Sequence, residues 1–156
     1  MFLFRWIQGL VSYSVEVRGQ SMEPTCSPGR LFKASRLAYF FRHPSRGDLV
    51  VVRPPGTPAH MEIKRVVGLP KEQIAWNQGL FRVNGELLHE PYARIPAAPP
   101  GDDEIQTRRL GPDEYFVAGD NRGNSLDSRS FGLVTRPQMH AKAFLHGKKS
   151  TIDFII

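Results

Sequence analysis

The chain is cut into short runs. Fourteen glycines and thirteen prolines are spread through 156 residues, and β-branched or alternating stretches stand between them. Proline removes a ladder donor and glycine weakens a strand interior, so both confine strands to the intervals they leave. Such intervals are Val15-Glu16-Val17, Leu31-Phe32-Lys33, Leu49-Val50-Val51-Val52, Met61 to Pro70 and Glu114 to Ala118. Asn84-Gly85, flanked by Gly79 to Val83 and Glu86 to Leu88, is the strongest hairpin signal, because a type I′ turn needs φ > 0 at both central residues. The pattern predicts a mainly β domain, with Leu49 to Val52 as a buried strand and Arg94 to Glu104 as an exposed loop.

The length suits one domain with its own core. Hydrophobic residues make up 40% and charged ones 23%, the balance of a folded rather than a disordered chain. A net charge of +6 allows an acidic partner, but its densest points, Arg108-Arg109 and His146-Gly147-Lys148-Lys149, are short. No nucleic-acid motif accompanies them, and no nucleic-acid partner is expected. The single cysteine, Cys26, rules out an internal disulfide and a thiol-built metal cluster, and it reads as a small semi-buried filler. The five histidines lack metal-ligand spacing and read as surface or structural residues rather than ligands.

Residues 1–14 are apolar and aromatic but broken by Arg5 and Gln8. As continuous helix, a segment of about 15 residues reaches only ~22 Å, against ~30 Å of hydrocarbon. It reads as an interfacial membrane anchor, or else as a first strand or helix packed on the domain formed by residues 15–156. The terminal run Thr151 to Ile156 reads as a last strand or a second weak membrane contact.

Three stretches carry chemistry. Gly119 to Gly132 packs acids, bases, amides and hydroxyls around three glycines, so hydrogen bonds and ion pairs must hold it. Asp120 with Arg122 and Asp127 with Arg129 are the natural pairs, and the glycines allow φ > 0 at the corners. Ser21 lies at a strand end before Pro24, where a side chain can project from a rigid base. Lys64 stands in an apolar strand among Ile63, Val66 and Val67. Burial disfavours an ammonium, and a neutral amine is a competent general base near neutral pH. A serine hydroxyl needs such a base, and Ser-Lys pairing is one convergent form of serine-hydrolase chemistry. Ser125 is the choice to orient the amine, and the Ser21 amide with the neighbouring Gly19 is placed to serve an oxyanion.

Ser21-Met22-Glu23-Pro24-Thr25, Gly47-Asp48, Ile63-Lys64-Arg65-Val66-Val67-Gly68-Leu69-Pro70 and Gly119-Asp120-Asn121-Arg122 through Ser125-Leu126-Asp127-Ser128-Arg129 resemble the ordered sequence boxes of the type I signal peptidases. The resemblance runs from about Val15 to about Ala143. It implies a catalytic core of coiled antiparallel β-sheets, with Ser21 as nucleophile, Lys64 as general base and Ser125 hydrogen-bonded to the lysine. It further implies an Asp127–Arg129 structural ion pair, Met22 at a substrate or membrane contact, and no cofactor. The implied substrates are exported preproteins cut after small residues, at a bacterial membrane with the catalytic domain on the extracytoplasmic side.

The chain departs from this pattern in its interrupted N-terminal segment, where the family has full spans, and in Gly19, where some relatives carry a serine. Lys71-Glu72 replaces a usual Gly-Asp. Glu62 replaces a common aromatic, and is expected to face solvent or pair with a base other than Lys64, since a carboxylate beside the lysine would favour its charged form. Two other functions compete. One is a soluble, cytoplasmic maturation peptidase of the same clan acting on one precursor, such as nickel superoxide dismutase. The other is a non-catalytic basic β module binding nucleic acid or anionic membrane.

Overall fold

The computed structural model describes residues 12–40, 42–57, 60–97 and 104–145. Residues 1–11 of the apolar N-terminal segment, the basic point at His146 to Lys149 and the run Thr151 to Ile156 lie outside the described residues.

Eleven strands are described: β1 (Ser12–Glu16), β2 (Leu31–Ser35), β3 (Leu49–Val52), β4 (Glu62–Gly68), β5 (Gln73–Asn77), β6 (Leu80–Val83), β7 (Glu86–Leu87), β8 (Gln106–Arg109), β9 (Glu114–Ala118), β10 (Val134–Thr135) and β11 (Met139–Leu145). A one-turn helix, α1 (Ser128–Phe131), follows the polar loop, and 3-10 turns cover Leu37–Tyr39 and Arg136–Gln138. The strands form a seven-stranded sheet in the order β1-β2-β11-β3-β4-β9-β10 and a four-stranded sheet in the order β7-β6-β5-β8. The build is mainly β, and every strand pair in both sheets is antiparallel, as the resemblance implied.

Strand alternation explains why the larger sheet is buried on both faces. In β3, Leu49 and Val51 join Phe32, Ala34, Ile63, Ala141 and Ala143 in one cluster. Val50 and Val52 point the other way, to Val66, Tyr115, Val117 and Met139. A third cluster joins the sheets: Val67, Phe116 and Ala118 from the larger pack on Ile74, Phe81 and Val83 from the smaller. The Asn84-Gly85 hairpin forms between β6 and β7, with φ of 51° and 90°. Arg94 to Ala97 is exposed, as the loop reading expected.

β4 lies between β3 and β9 and is buried from Ile63 to Gly68, which puts Lys64 in the interior. Ser21 reaches it from the turn between β1 and β2. That turn is fastened to the polar loop after β9, because Asn121 N donates to Ser21 O at 3.0 Å and Asn121 Nδ2 to Gln20 O at 3.2 Å.

Candidate active site

Lys64 is 1% exposed, and its Nζ donates to Ser21 Oγ at 3.1 Å across 43 residues of sequence. The apolar run that predicts β4 therefore buries the lysine more completely than the partial burial its neighbours suggested. A second partner is Glu62, whose Oε2 stands 2.8 Å from the same nitrogen. The expectation that Glu62 would face solvent or pair elsewhere is overturned. Residues i and i+2 share a strand face, and β4 is covered, so a buried ammonium finds its nearest carboxylate on its own strand.

Ser125 Oγ is buried and makes no hydrogen bond of normal geometry, although it is close enough to the Asp127 carboxylate to help hold it ionised. It packs on Gly119 on the side where Ser21 O also approaches. Gly19 sits exposed in the turn before Ser21 with φ of 99°, a conformation that suits glycine. Met22, expected beside the nucleophile at a substrate or membrane contact, is turned inward. It is 1% exposed and packs with Val17 and Cys26, because the turn that sends Ser21 to Lys64 sends the next side chain into the core. Cys26 is fully buried, more deeply than the semi-buried filler expected of it. Burial, with the Asp120 carboxylate adding to it, pushes its thiol up to about 12 and leaves it protonated and unreactive.

The Asp127–Arg129 pair forms at 2.7 Å, with the Arg129 Nε and Nη2 donating to both carboxylate oxygens. Asp127 also caps α1, accepting from Arg129 N at 3.2 Å, and accepts from Gly119 N at 3.0 Å. Burial pushes the Asp127 carboxyl up, but Arg129, the Gly119 amide and Ser125 outweigh it and hold the group below the usual carboxylate range.

The expected Asp120–Arg122 pair does not form. Asp120 instead takes Arg65 in a two-pronged contact of 2.8 and 2.7 Å, and Thr25 Oγ1 donates to it at 2.5 Å. Arg122 pairs with Glu90 at 2.7 and 2.8 Å and donates to Gly79 O and Gly119 O. Arg65 and Glu90 are the site-building residues that sequence reasoning missed. Arg65 follows Lys64 in the same buried strand, and its register opposite Ala118 brings its guanidinium to Asp120. The signal available was a second cation inside an apolar run. Arg65 Nη1 also donates to Gly47 O at 2.8 Å, and Tyr92 lies 3.8 Å beneath the guanidinium, so Gly47-Asp48 and the segment after β7 are both tied to β4.

A serine hydroxyl and a buried lysine amine in hydrogen-bond contact, on an antiparallel β scaffold, have the geometry that a Ser-Lys pair requires. The chain belongs to the family described as signal peptidase, peptidase S26, which it matches over residues 1–146. It is 35% identical over 145 residues to a probable signal peptidase I-2 of Synechocystis sp., covering 88% of this chain and 65% of that one. It is also 35% identical over 136 residues to signal peptidase I of Bacillus caldolyticus, with 81% and 74% covered. A crystal structure of a signal peptidase I from Enterococcus faecalis V583 aligns with a TM-score of 0.56 and 26% identity, over 65% of this chain and 97% of that one. The chain thus spans about two thirds of the length of the Synechocystis relative. These relatives favour neither the dedicated-precursor reading nor the basic binding module. Among the described residues, no helix is long and apolar enough to cross a membrane.

Proposed function

We propose that the chain is a serine endopeptidase that removes N-terminal signal peptides from exported preproteins, cutting after small residues, with Ser21 as nucleophile and Lys64 as general base. The observation that carries this reading is the 3.1 Å contact of Lys64 Nζ with Ser21 Oγ inside a buried strand. A neutral Lys64 takes the Ser21 proton as Oγ attacks the scissile carbonyl, and the lysinium then protonates the leaving amine. Water activated by the same amine releases the acyl-enzyme. The backbone N–H groups at Ser21 and Gly19 receive the oxyanion.

Ser125 orients the amine in the working state. A buried hydroxyl without a partner costs about 1–3 kcal/mol, and a hydrogen bond to the Lys64 amine relieves it. Asp127 with Arg129 keeps the loop that carries Ser125 in shape. Leu126, 71% exposed beside Ser125, offers an apolar contact to a signal peptide or a membrane surface. Under this reading the chain works at the membrane with the catalytic domain on its extracytoplasmic side.

The test is cleavage of a preprotein with an Ala-x-Ala site, in detergent or lipid. Ser21→Ala and Lys64→Ala should each lower kcat/KM by several orders of magnitude, and the double variant by little more, since the two groups act as one unit. Near-wild-type cleavage by Lys64→Ala in a folded protein would sink the assignment.

A further inference from the structure

Lys64 is asked to be two things at once. As a base it must present a lone pair to the Ser21 proton, whereas a carboxylate 2.8 Å from its nitrogen stabilises the ammonium, which has none to present. Several of the other charges around β4 are engaged, although Arg53, next to the cross-strand partner of Glu62, has a buried Nε without a hydrogen bond. Arg65 holds Asp120, Arg129 holds Asp127, Arg122 holds Glu90, and Lys142 Nζ takes Asp48 Oδ1 at 2.6 Å at the entrance to β3. Across β3 the residue opposite Lys64 is Val50, and the turn before β2 brings the neutral Ser21. Among the described residues, Glu62 is therefore the acidic group left facing the amine. It is also the member of the pair that reaches water, being 26% exposed where the Lys64 side chain is 2% exposed.

We propose that Glu62 is a positioning residue for the Ser21–Lys64 pair: its carboxylate holds Lys64 as an ammonium against Ser21 in the resting enzyme and so sets the lower edge of the active pH range. The inference rests on the Ser-Lys reading of the site. Before attack, the ammonium loses one proton to solvent, and the neutral amine left behind accepts the Ser21 proton as the Oγ–carbon bond forms. Glu62 contacts the Lys64 amine, and its effect on Ser21 is exerted through that amine.

Glu62→Gln keeps the side-chain length and an acceptor oxygen but removes the charge. The acid limb of the kcat/KM profile should move to lower pH by about one unit or more, the usual effect of losing an opposite charge within ~4–6 Å. At a fixed pH on that limb, the variant should be about tenfold faster than wild type, since one unit is a factor of ten. Glu62→Asp, which withdraws the carboxylate by one methylene, should move the limb the same way by less, and it stands in if the Gln variant folds poorly. A residue that merely supported the strand would lower the melting temperature and leave the limb where it was.

A second readout does not need cleavage. The Cε signal of Lys64, in protein labelled at lysine and assigned with Lys64→Arg, should titrate at lower pH in Glu62→Gln than in wild type. An unchanged titration, or an unchanged acid limb, overturns the inference. A shifted titration in a chain that cleaves no preprotein upholds the charge coupling and counts against the peptidase reading instead.

Discussion

Gly119 shows how one residue can be required for a reason other than conformational freedom. The polar loop suggested that its glycines turn corners at positive φ, and Gly132 does so at 90°. Gly119 does not belong to that group. A Cβ there would stand 2.5 Å from Ser21 O and 2.6 Å from Ser125 Cβ, and closer still to Ser125 Oγ. The missing side chain is what lets the serine turn and the polar loop meet, while Gly119 N donates to Asp127 and its carbonyl accepts from Arg122. Gly119→Ala is expected to push the two loops apart, at a cost of about 1–3 kcal/mol in stability for overpacking. A displacement near 1 Å at the reacting atoms lowers activity about a hundredfold. Denaturant unfolding and preprotein cleavage on the same sample check both. Wild-type activity in a stable Gly119→Ala protein would show that the approach is looser than described.

At the scale of elements, α1 and β4 do different work. The four-residue helix α1 is too short to be stable alone and depends on its cap, Asp127, which also grips Arg129 and Gly119. Because the Asp127 carboxyl is held below its ordinary value of ~3.9 in the folded state, its contribution to stability is fully present above that value. The contribution is lost as pH falls through the lowered folded-state value. Asp127→Asn should therefore be less stable than wild type at pH 7. The gap between the two should narrow in acid, below about pH 4, when unfolding free energies are compared across pH. A constant gap at all pH values would mean that the carboxylate charge is not what stabilises the loop.

β4 was legible as a strand, and Lys64 as its odd member, because a cation inside an apolar run is conspicuous. The Ser21 partner of Lys64 was legible too, but the ion pairs that build the site around them were not. Arg65–Asp120 and Arg122–Glu90 join residues 55 and 32 positions apart, whereas sequence reasoning paired the neighbours Asp120 and Arg122. Short sequence separation makes a pair easy to imagine, but register and backbone direction decide which side chains meet.

For the whole molecule, the smaller sheet buttresses the site from a distance. Phe116 of β9 meets Trp76 and Phe81 with ring centroids 5.1 and 5.4 Å apart, and the Arg122 guanidinium lies 4.5 Å above the Phe81 ring. Phe81 is fully buried, so Phe81→Ala should cost about 3–5 kcal/mol and leave Arg122 without its floor. Cleavage should fall more than the folded fraction alone accounts for, measured below the unfolding midpoint at matched concentrations of folded protein. A loss of activity that merely tracks unfolding would make Phe81 a core residue with no bearing on the site.

By itself, the sequence determined the mainly β build, the Asn84-Gly85 hairpin, the buried β3 and the candidate set Ser21, Lys64 and Ser125. These follow from local physics: where glycine and proline interrupt strands, where φ > 0 is required, and which residue types can serve as nucleophile and base. Only the tertiary structure decided that Met22 is core, that Glu62 grips Lys64, that Arg65 rather than Arg122 holds Asp120, and that Gly119 is a point of contact. Each of those depends on what covers a strand face and which loop arrives beside it. The energy of a buried charge is set by those neighbours, and they come from distant parts of the chain.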